Sequence, residues 1–432
     1  QIKNKKGYLI SGDATVTQVL KKARVDQASH IYLVSGEDPV NIESCLEIYK
    51  ICEKKKSSKK YLQCILHLQQ PEFVNSMKDY PWVKDMNDAI TLKIFNVFEN
   101  CARHFLQQNP LDFKEGISFG SRARVQLFIF GFGKNGEALA LETGMNGHYA
   151  NGLKPRIIVV DRQNEHRKSE FLESYPDFEE YCDLHYIVSE GDSPQLINHL
   201  LPFLKEPETL NTFVICFGNK TQNLMLSQQI EKMIPSGNCQ IFARTFLTDT
   251  ELSKINETKV RSYGLPQYTS ETEAIFGESL DELAKALHEE YLQDQMKKPN
   301  FGKKEAHKPW PELDEVYKDS NRRAADHIAV KLRAIGCEIV SSEDPRSSFK
   351  LSPEELEILA QLEHRRWLAE RQLTGWTYAD IPQSDPKKKE SPYILPWSQI
   401  TKDIRDYDRD AVRKIESVLA RVGKNGVRRL QQ

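Results

Sequence analysis

The chain has 432 residues, which is enough for two to four domains with well-filled cores. Its 60 basic and 62 acidic side chains nearly cancel, which argues against a nucleic-acid-binding protein that works by bulk charge. Eight cysteines occur without a Cys-x-x-Cys pair, so the sequence indicates neither a disulfide framework nor a thiolate zinc site, and it fits a reducing cytosol.

The first part of the chain alternates short β-branched runs with amphipathic stretches, which predicts parallel strands joined by helical crossovers. The predicted strands and helices, in chain order, are Tyr8–Ile10, Thr17–Ala23, Ile31–Val34, a helix after Pro39, and Tyr61–Leu66. Apolar residues then recur at helical spacing over Ile90–Phe105, which predicts one long helix that bridges to a second unit. Its apolar face exceeds what one lobe covers, so we expect a homodimer that can build a larger ring.

The second unit begins with a predicted strand at Val125–Phe130 and turns through glycines into a helix. Further strands are predicted at Arg156–Asp161, Tyr186–Val188, Thr212–Cys216 and Gln240–Ala243. This alternation is typical of a doubly wound parallel sheet. Residues 251–309 are polar and helical and end in a Lys/Pro/Gly-rich stretch, Lys297–Pro309, which indicates a linker. Residues 310–432 are helix-rich, aromatic and basic.

Two stretches of the chain repeat each other. Gly12-Asp13, Gly36 and Asn41 of the first copy correspond to Gly191-Asp192, Gly218 and Asn223 of the second. A glycine fingerprint precedes the second copy alone, so we expect the first copy to be the back half of a nucleotide-binding unit whose front half lies upstream. The predicted domains are residues 1–85 (first half-lobe), 86–120 (bridge), 121–250 (second lobe), 251–309 (connector) and 310–432 (C-terminal domain).

The fingerprint Gly131-Phe132-Gly133-Lys134-Asn135-Gly136 follows a predicted strand and opens a helix. Its three glycines suit a tight turn, close backbone approach to a pyrophosphate, and close packing of the helix against the strand. Asp161 ends the next strand, where a carboxylate accepts hydrogen bonds from ribose hydroxyls. The alternative is that the turn persists while the pocket holds no ligand. Arg162 either steadies a ribose phosphate or is an ordinary exposed arginine.

The repeated landmarks are further candidates for ligand contacts. They lie just past strands, at the carboxyl edge of the sheet where such folds bind ligands: Gly191, Asp192, Gly218 and Asn223. The alternative is structural, because an aspartate or asparagine at this place also caps the following helix. Hydride transfer would need a proton donor in a group of residues centred on a histidine, and the histidines of this sequence are isolated. We therefore predict no catalytic residues and no enzyme.

The first copy resembles a known family. Gly12-Asp13-Ala14-Thr15, Val19–Ala23, Ile31–Val34, Asp38 and Asn41 are similar to the RCK domain (regulator of K⁺ conductance), also called TrkA-N, and 131–161 resembles the front half of a second copy. The resemblance implies tandem Rossmann lobes on the cytosolic side of a potassium channel or transporter, assembled into a ring that responds to a ligand. NAD(H), ADP, ATP or another nucleotide is the implied ligand.

The C-terminal region concentrates tryptophans among basic residues. His364, Trp367 and Arg371 are three and four residues apart, so one helical face presents all three, and Gly375 is expected to end that helix. Stacking rings and forked cations suit a planar anionic ligand. The candidate contacts are His364, Arg366, Trp367, Arg371, Trp376, Tyr378, Lys389, Trp397, Tyr407 and Arg409. The alternative is that the tryptophans form a small core and the cations solvate its surface.

The same segment resembles the RyR domain, the repeat domain of ryanodine receptors, in its bacterial form. Glu363-His364-Arg365-Arg366-Trp367, Gly375-Trp376-Thr377-Tyr378, Leu395-Pro396-Trp397 and Tyr407-Asp408-Arg409 stand in the family's order. The resemblance implies a helical sensing module and identifies no catalyst. The predicted fold is therefore α/β, with tandem Rossmann-like sheets, the first truncated at its N-terminus, followed by a mostly α-helical RyR domain.

These features predict a ligand-sensing regulatory region of a potassium or other cation channel or transporter. The transmembrane pore is expected upstream in the same chain or in a partner subunit, which implies a cytoplasmic location at the inner face of the cell membrane. The first alternative is a soluble nucleotide sensor that relays to a partner protein. The second is an NAD-dependent oxidoreductase.

Overall fold

A computed structural model of the chain describes residues 7–53, 62–70, 90–163, 166–190, 193, 195–234, 239–255, 258–264, 281–341, 343–344, 349–423 and 425–430. The chain divides into two compact units between Asn100 and Cys101. Among the described residues, none of the helices combines the length and the apolar character that a bilayer crossing requires.

The first unit contains a three-stranded parallel sheet in the order β1-β2-β3. Its elements are α1 (Thr17–Lys22), β1 (His30–Leu33), α2 (Asp38–Glu53), β2 (Leu62–His67) and β3 (Ile90–Phe95). The two helices and the sheet share one buried apolar cluster, which includes Leu20, Ile48 and Leu66. Burial of this apolar area is the main force that holds the short strands together.

The predicted helix Ile90–Phe105 is wrong in its first part. Residues 90–95 form β3, which pairs in parallel with β2, and helix α3 begins only at Val97 and ends at Gln108. Asn96 separates the two elements, because its Oδ1 accepts hydrogen bonds from the backbone N–H groups of Phe98 and Glu99. An asparagine in this capping position starts a new helix. The expected homodimer stays a prediction, without support from a continuous helix.

The predicted strand Tyr8–Ile10 is also wrong. Residues 7–11 have no regular structure, and the side chains of Tyr8 and Leu9 are almost fully exposed. The corresponding segment of the second unit, Asp183–Val188, is a strand because it pairs with Arg156–Asp161. Among the described residues no strand pairs with residues 7–11, so this segment has no hydrogen-bond ladder to join.

The second unit contains a six-stranded sheet in which every pair of neighbours is parallel. Its strands are β4 (Arg124–Phe130), β5 (Arg156–Asp161), β6 (Asp183–Val188), β7 (Thr209–Ile215), β8 (Cys239–Arg244) and β9 (Val260–Tyr263). The order β6-β5-β4-β7-β8-β9 reverses beside β4, which is the arrangement of a doubly wound Rossmann sheet. The predicted fold class is confirmed, and β9 adds a strand to the predicted set.

Helices cover both faces of this sheet. They are α4 (Lys134–Asn146), α5 (His166–Ser174), α6 (Phe178–Tyr181), α7 (Leu196–Leu204), α8 (Lys220–Met233) and α9 (Asp249–Ile255). Two buried apolar clusters lie on opposite faces of β4, one around Leu127 and Ile129 and the other around Phe128 and Phe130. Both faces of a central strand are buried, which explains the unbroken apolar run of β4.

The C-terminal region is mostly helical, as predicted. Its elements are α10 (Glu282–Met296), α11 (Glu315–Asp326), α12 (Ile328–Ala334), β10 (Cys337–Ser341), α13 (Pro353–Leu373), β11 (Thr377–Tyr378), β12 (Glu390–Ser391), α14 (Lys402–Arg413), α15 (Ile415–Arg421) and β13 (Asn425–Arg429). Helix α13 begins with a capping box between Ser352 and Glu355. Gly375 has φ of 82° just after the helix, in agreement with the predicted stop.

The segment Lys297–Pro309, which the sequence indicates as a linker, is tied to α10 by hydrogen bonds. His288 Nε2 donates to the carbonyl oxygen of Lys308 at 2.7 Å, and Gly302 N donates to His307 Nδ1 at 3.0 Å. The two histidines therefore anchor the segment. The remaining domain boundaries stay predictions.

Candidate functional site

The glycine turn joins β4 to α4 and uses its glycines in two ways. Gly131 has φ of 99°, and a Cβ on Gly136 would lie 2.3 Å from the carbonyl oxygen of Gly131. Both positions therefore exclude side chains for reasons of backbone conformation and packing. At Gly133 the nearest atom to an added Cβ would be Arg167 Nη1, at 3.8 Å. The space beside Gly133 is the part of the turn that a ligand can approach.

Gly133 is also the N-cap of α4 and supplies no side chain to cap it. The first N–H groups of a helix lack intrahelical acceptors and carry the positive end of the helix dipole. A phosphate beside this turn would accept hydrogen bonds from them. The residues present therefore fit a nucleotide phosphate.

Asp161 organises the turn from the neighbouring strand. Its Oδ2 accepts a hydrogen bond from Phe132 N at 2.6 Å, and its Oδ1 accepts one from Gln163 N at 2.8 Å. The carboxylate is buried, and the ring of Phe132 is buried beneath the turn. An ionised carboxylate has about four acceptor positions, so these two bonds leave capacity for ribose hydroxyls.

Two arginines follow Asp161, and the one predicted from the sequence, Arg162, is not the one that contacts the turn. Arg162 is exposed. Arg167, in the first turn of α5, donates from Nη1 to the carbonyl oxygen of Phe132 and from Nε to Gln163. This places its guanidinium beside Gly133, where it adds positive charge to the turn. In the sequence, its position in the first turn of the helix that follows Asp161 could have indicated this role.

The paired asparagines of the repeat have the same structural role. Asn41 Nδ2 donates to the carbonyl oxygens of Ser35 and His67, at 3.1 and 3.0 Å. Asn223 Nδ2 donates to those of Phe217 and Arg244, at 3.0 and 2.9 Å.

Both asparagine side chains are buried and tie the turn after one strand to the end of the next. Gly218 lies in an open turn, with nothing within 4 Å of an added Cβ. Gly191 and Asp192 lie outside the described residues.

The aromatic and basic residues of α13 form a row, as their spacing predicts. The row runs in the order Trp397, His364, Trp367, Arg371 and Trp376. The His364 ring centroid is 5.6 Å from that of Trp397 and 5.9 Å from that of Trp367. Arg371 Cζ is 5.6 Å from the Trp367 centroid and 4.4 Å from that of Trp376, so its guanidinium contacts both indoles.

Three candidates of this region are engaged in internal contacts. His364 is buried, with Nδ1 3.2 Å from Asp408 Oδ2 and Nε2 donating to the carbonyl oxygen of Leu395. Arg409 donates to Glu357 and Asp406. Arg366 belongs to a closed charge network.

Arg366 is fully buried between Glu363 and Glu370, at 2.8 and 2.7 Å. Lys331 joins Glu363 at 2.5 Å. Burial alone would raise the pKa of Glu363, but Arg366 and Lys331 lower it to about 2. The four side chains are paired with one another, so the guanidinium of Arg366 stabilises the fold and is not available to a ligand.

Arg371 differs from Arg366 because its hydrogen bonding is incomplete. It is 7% exposed, and its nearest polar contacts are Ser320 Oγ at 3.4 Å and Glu370 Oε1 at 3.9 Å. Among the described residues, Arg371 Nε has no hydrogen-bond partner. Burial lowers the pKa of this guanidinium. A buried cation with spare donors, between two indoles, is the strongest anion-binding candidate in the C-terminal region.

The remaining candidates of this region are less engaged with the row. Lys389 Nζ donates to the carbonyl oxygen of Thr374 at 2.8 Å, beside Gly375. Tyr378 and Tyr407 are exposed, and Tyr407 lies near Lys298 instead of the row. The structure therefore brings five of the ten predicted residues into one row and leaves the others around it.

The Rossmann lobe and the C-terminal helices pack closely within the second unit. A Cβ on Gly144 of α4 would lie 2.8 Å from the ring of Phe178 and 3.1 Å from Leu373 of α13. Leu373 belongs to the same buried cluster as β4. Helix α4 therefore touches the C-terminal helices along its second half.

Buried ion pairs cross the same junction. They are Arg103–Asp326, Arg323–Glu142 and Arg333–Asp112. His327 Nε2 donates to the carbonyl oxygen of His148 at 2.9 Å. A half-open cavity of about 250 Å³ lies between these pairs. The described residues contain no cluster of His, Cys, Asp and Glu that could hold a metal ion.

The sheet order and the glycine turn define a Rossmann-type nucleotide-binding fold. Residues 1–80 match the family model of the TrkA-N domain, and residues 350–425 match that of the RyR domain. Both resemblances are thereby confirmed, so the chain carries a TrkA-N segment and a RyR domain.

Two solved structures of GsuK are similar to the chain. The GsuK structure bound to ADP is 15% identical, with a TM-score of 0.38, and covers 61% of this chain. That of a GsuK mutant is 15% identical, with a TM-score of 0.39, and covers 60%. The chain spans 55% of the length of either GsuK chain. A search of curated protein sequences finds no significant match.

Proposed function

We propose that this chain is a ligand-sensing regulatory region of a potassium or other cation channel or transporter. It binds a nucleotide at the glycine turn of the second lobe and acts at the cytosolic face of the membrane. The TrkA-N and RyR matches support the regulatory class. The open position at Gly133 and the uncapped start of α4 support the ligand site.

One observation carries the proposal: a single helix links the ligand site to the RyR domain. Helix α4 starts at the open turn and, after 13 residues, ends against α11 and α13. It is about 20 Å long and behaves as a rigid rod on this scale. A ligand that shifts its first turn therefore also shifts Glu142 and Gly144, which contact the C-terminal helices.

The bound molecule is a nucleotide such as NAD(H), ADP or ATP. Its phosphates lie at the N-terminus of α4 beside Arg167, and its ribose hydroxyls donate to Asp161. In the RyR domain a second, planar anionic ligand binds at Arg371 and stacks on the neighbouring indoles. Two ligands on one rigid junction allow each to change the affinity for the other.

Titration calorimetry with NAD⁺, NADH, ADP and ATP tests the first site. Gly133→Ala places a methyl group in the open space and should weaken the tightest nucleotide at least ~10-fold, with unchanged thermal stability. Gly36→Ala is the matched control, because an added Cβ there meets nothing within 4 Å. Absence of nucleotide binding, or equal binding by Gly133→Ala, would contradict the proposal.

Ion flux separates the channel from the soluble sensor. The chain, joined to its membrane partner in vesicles, should change potassium flux when the tightest nucleotide is added, and Gly133→Ala should shift that response to higher concentration. Tight nucleotide binding with no flux change would assign the chain to the soluble class. Light scattering at micromolar concentration tests the expected homodimer or larger ring, and a monomer would count against it.

A further inference from the structure

A run of ten consecutive exposed residues, 296–305, begins at the last residue of α10. We call residues 297–305 the lysine loop. Its shape is fixed from inside: Gly302, with φ of 84°, donates its N–H to His307 Nδ1. The ring of Phe301 stacks on that of His307, with centroids 5.3 Å apart and planes 16° apart. An anchored loop presents its side chains at defined positions at little entropic cost on binding.

The lysine loop carries uncompensated positive charge. Lys297 pairs with Asp294, and Glu305 pairs with Lys308 just beyond the loop. The other lysines, Lys298, Lys303 and Lys304, form no ion pair with a described residue. The nearby acidic side chains are already neutralised, because Asp294 also pairs with Lys414.

Helix α14 adjoins the loop without cancelling this charge. Lys298 Nζ lies 6.0 Å from the ring centroid of Tyr407 in the middle of α14. The helix carries four basic and four acidic residues, so its own charge is zero. The three unpaired lysines therefore define the sign of this surface.

Large apolar side chains are exposed on the same surface. Met296 is 59% exposed, Tyr407 56% and Phe301 36%. Aromatic and apolar groups set among lysines are typical of surfaces that rest on a membrane, with the lysines at the headgroups and the apolar groups at the acyl boundary. None of the three belongs to a buried apolar cluster, and Tyr407, a candidate ligand contact from the sequence, lies near Lys298 and away from the row on α13.

We propose that the lysine loop, together with Met296 and Tyr407, binds the surface of a membrane that contains anionic lipids. The lysine ammonium groups contact phosphate and carboxylate groups of the lipid heads, while Met296 and Phe301 enter the boundary of the acyl region. An anchored loop whose residues 297–305 are all exposed fits a broad anionic surface better than one enclosed anion. This surface is separate from the proposed nucleotide sites and depends on neither.

Flotation of the 432-residue chain with vesicles tests the surface. The chain should bind vesicles of phosphatidylcholine and phosphatidylserine, and bind phosphatidylcholine vesicles much less. The triple variant Lys298→Gln, Lys303→Gln and Lys304→Gln should lose binding on the order of 100-fold, since each lysine near an anionic surface contributes about fivefold. High salt should weaken the wild-type chain in the same way.

A second triple variant is the matched control. Lys350→Gln, Lys387→Gln and Lys388→Gln remove the same number of exposed charges elsewhere in the unit and should leave binding within about twofold. Met296→Ser, which removes no charge, should lower binding several-fold. The proposal is overturned if wild type does not distinguish the two vesicle types, or if both triple variants lose binding equally. It is also overturned if single-stranded RNA binds the lysine loop more tightly than the anionic vesicles do.

Discussion

The guanidinium of Arg323 and the carboxylate of Glu142 form an ion pair whose two side chains are almost completely buried. Glu142 lies on the helix that starts at the glycine turn, and Arg323 lies on α11 of the C-terminal region. This pair therefore joins the proposed nucleotide lobe to the helices that precede the RyR domain. It is the charged counterpart of the close contact between Gly144 and Leu373.

Breaking the pair from one side should be costly. Arg323→Met removes the guanidinium that pairs with the buried Glu142 carboxylate and should lower the free energy of unfolding by ~3–5 kcal/mol. The double variant Glu142→Leu/Arg323→Met removes both charges and should recover to within about 2 kcal/mol of wild type. Urea unfolding of wild type, Arg323→Met, Glu142→Leu and the double variant measures the difference. Simple addition of the two single costs would show that the pair is not coupled.

Gly144→Val should separate helix α4 from α13. The added side chain meets Phe178 and Leu373, so we expect a loss of ~1–3 kcal/mol of stability from overpacking. Because the same helix starts at the nucleotide turn, nucleotide affinity should also fall, by about tenfold. Gly36→Val, in an open position, is the control. If the variant were less stable but bound the nucleotide as tightly as wild type, the contact between α4 and α13 would not influence nucleotide binding, and the proposed coupling through α4 would be wrong.

Arg366 and Arg371 lie on one helix, but substitution by methionine should mainly lower stability at Arg366 and mainly lower anion binding at Arg371. Arg366→Met removes the 2.7 Å ion pair of the buried Glu370 and leaves the buried Glu363 with Lys331 alone, so it should cost ~3–5 kcal/mol of stability. Arg371→Met keeps the volume and breaks no strong bond, so it should cost less than ~1.5 kcal/mol. It should nevertheless abolish anion binding in the RyR domain, measured with inorganic phosphate and AMP by calorimetry. Equal anion binding by Arg371→Met and wild type would remove Arg371 from the site.

The buried histidines at the junction should make stability depend on pH. Burial, with Arg365 and Arg366, lowers the pKa of His148 to about 3 from 6.5, and burial also lowers that of His327. At a pH between the lowered pKa of a histidine in the folded chain and 6.5, the unfolded chain binds a proton that the folded chain does not. Stability therefore falls as pH decreases from 6.5, by ~1.4 kcal/mol per pH unit for each histidine.

His148→Gln isolates one contribution. It should lose stability at about pH 7.5, but its deficit relative to wild type should shrink by ~2 kcal/mol near pH 5. Urea unfolding at both pH values measures this change. The exposed His166→Gln is the control and should follow wild type at both. If the difference in unfolding free energy between His148→Gln and wild type were the same at both pH values, His148 would not cause this pH dependence.

The parts of the fold that depend on local chemistry were predictable. The three glycines, the apolar β4 strand and the acid at the end of β5 form one pattern, and the structure contains that pattern as a turn between a strand and a helix. The row on α13 follows from helical spacing alone. Residues 90–95 were mispredicted because Ile90 and Ile94 fit both helical spacing and a strand buried mainly at its ends.

The site details were not predictable because they depend on distant residues. Arg366 and Arg371 lie five positions apart on α13 and both have carboxylates nearby in the sequence. Glu363 and Glu370 both turn to Arg366, which leaves Arg371 with Ser320 of another helix. Arg167 was missed for the same reason, since its contact with Phe132 exists only after the strands pair.

The shared geometry of Asn41 and Asn223 determines where each lobe can move. Each amide spans two strand ends and acts as a cross-brace, so the carboxyl edge on that side of the sheet cannot open without losing two hydrogen bonds to buried carbonyls. In the second lobe the other side of the glycine turn is tied by different groups, since Phe132 N donates to Asp161 and Arg167 donates to the carbonyl oxygen of Phe132. Those ties come from charged side chains that a phosphate can also engage, so we expect movement on ligand binding to concentrate on the Gly133 side of the sheet.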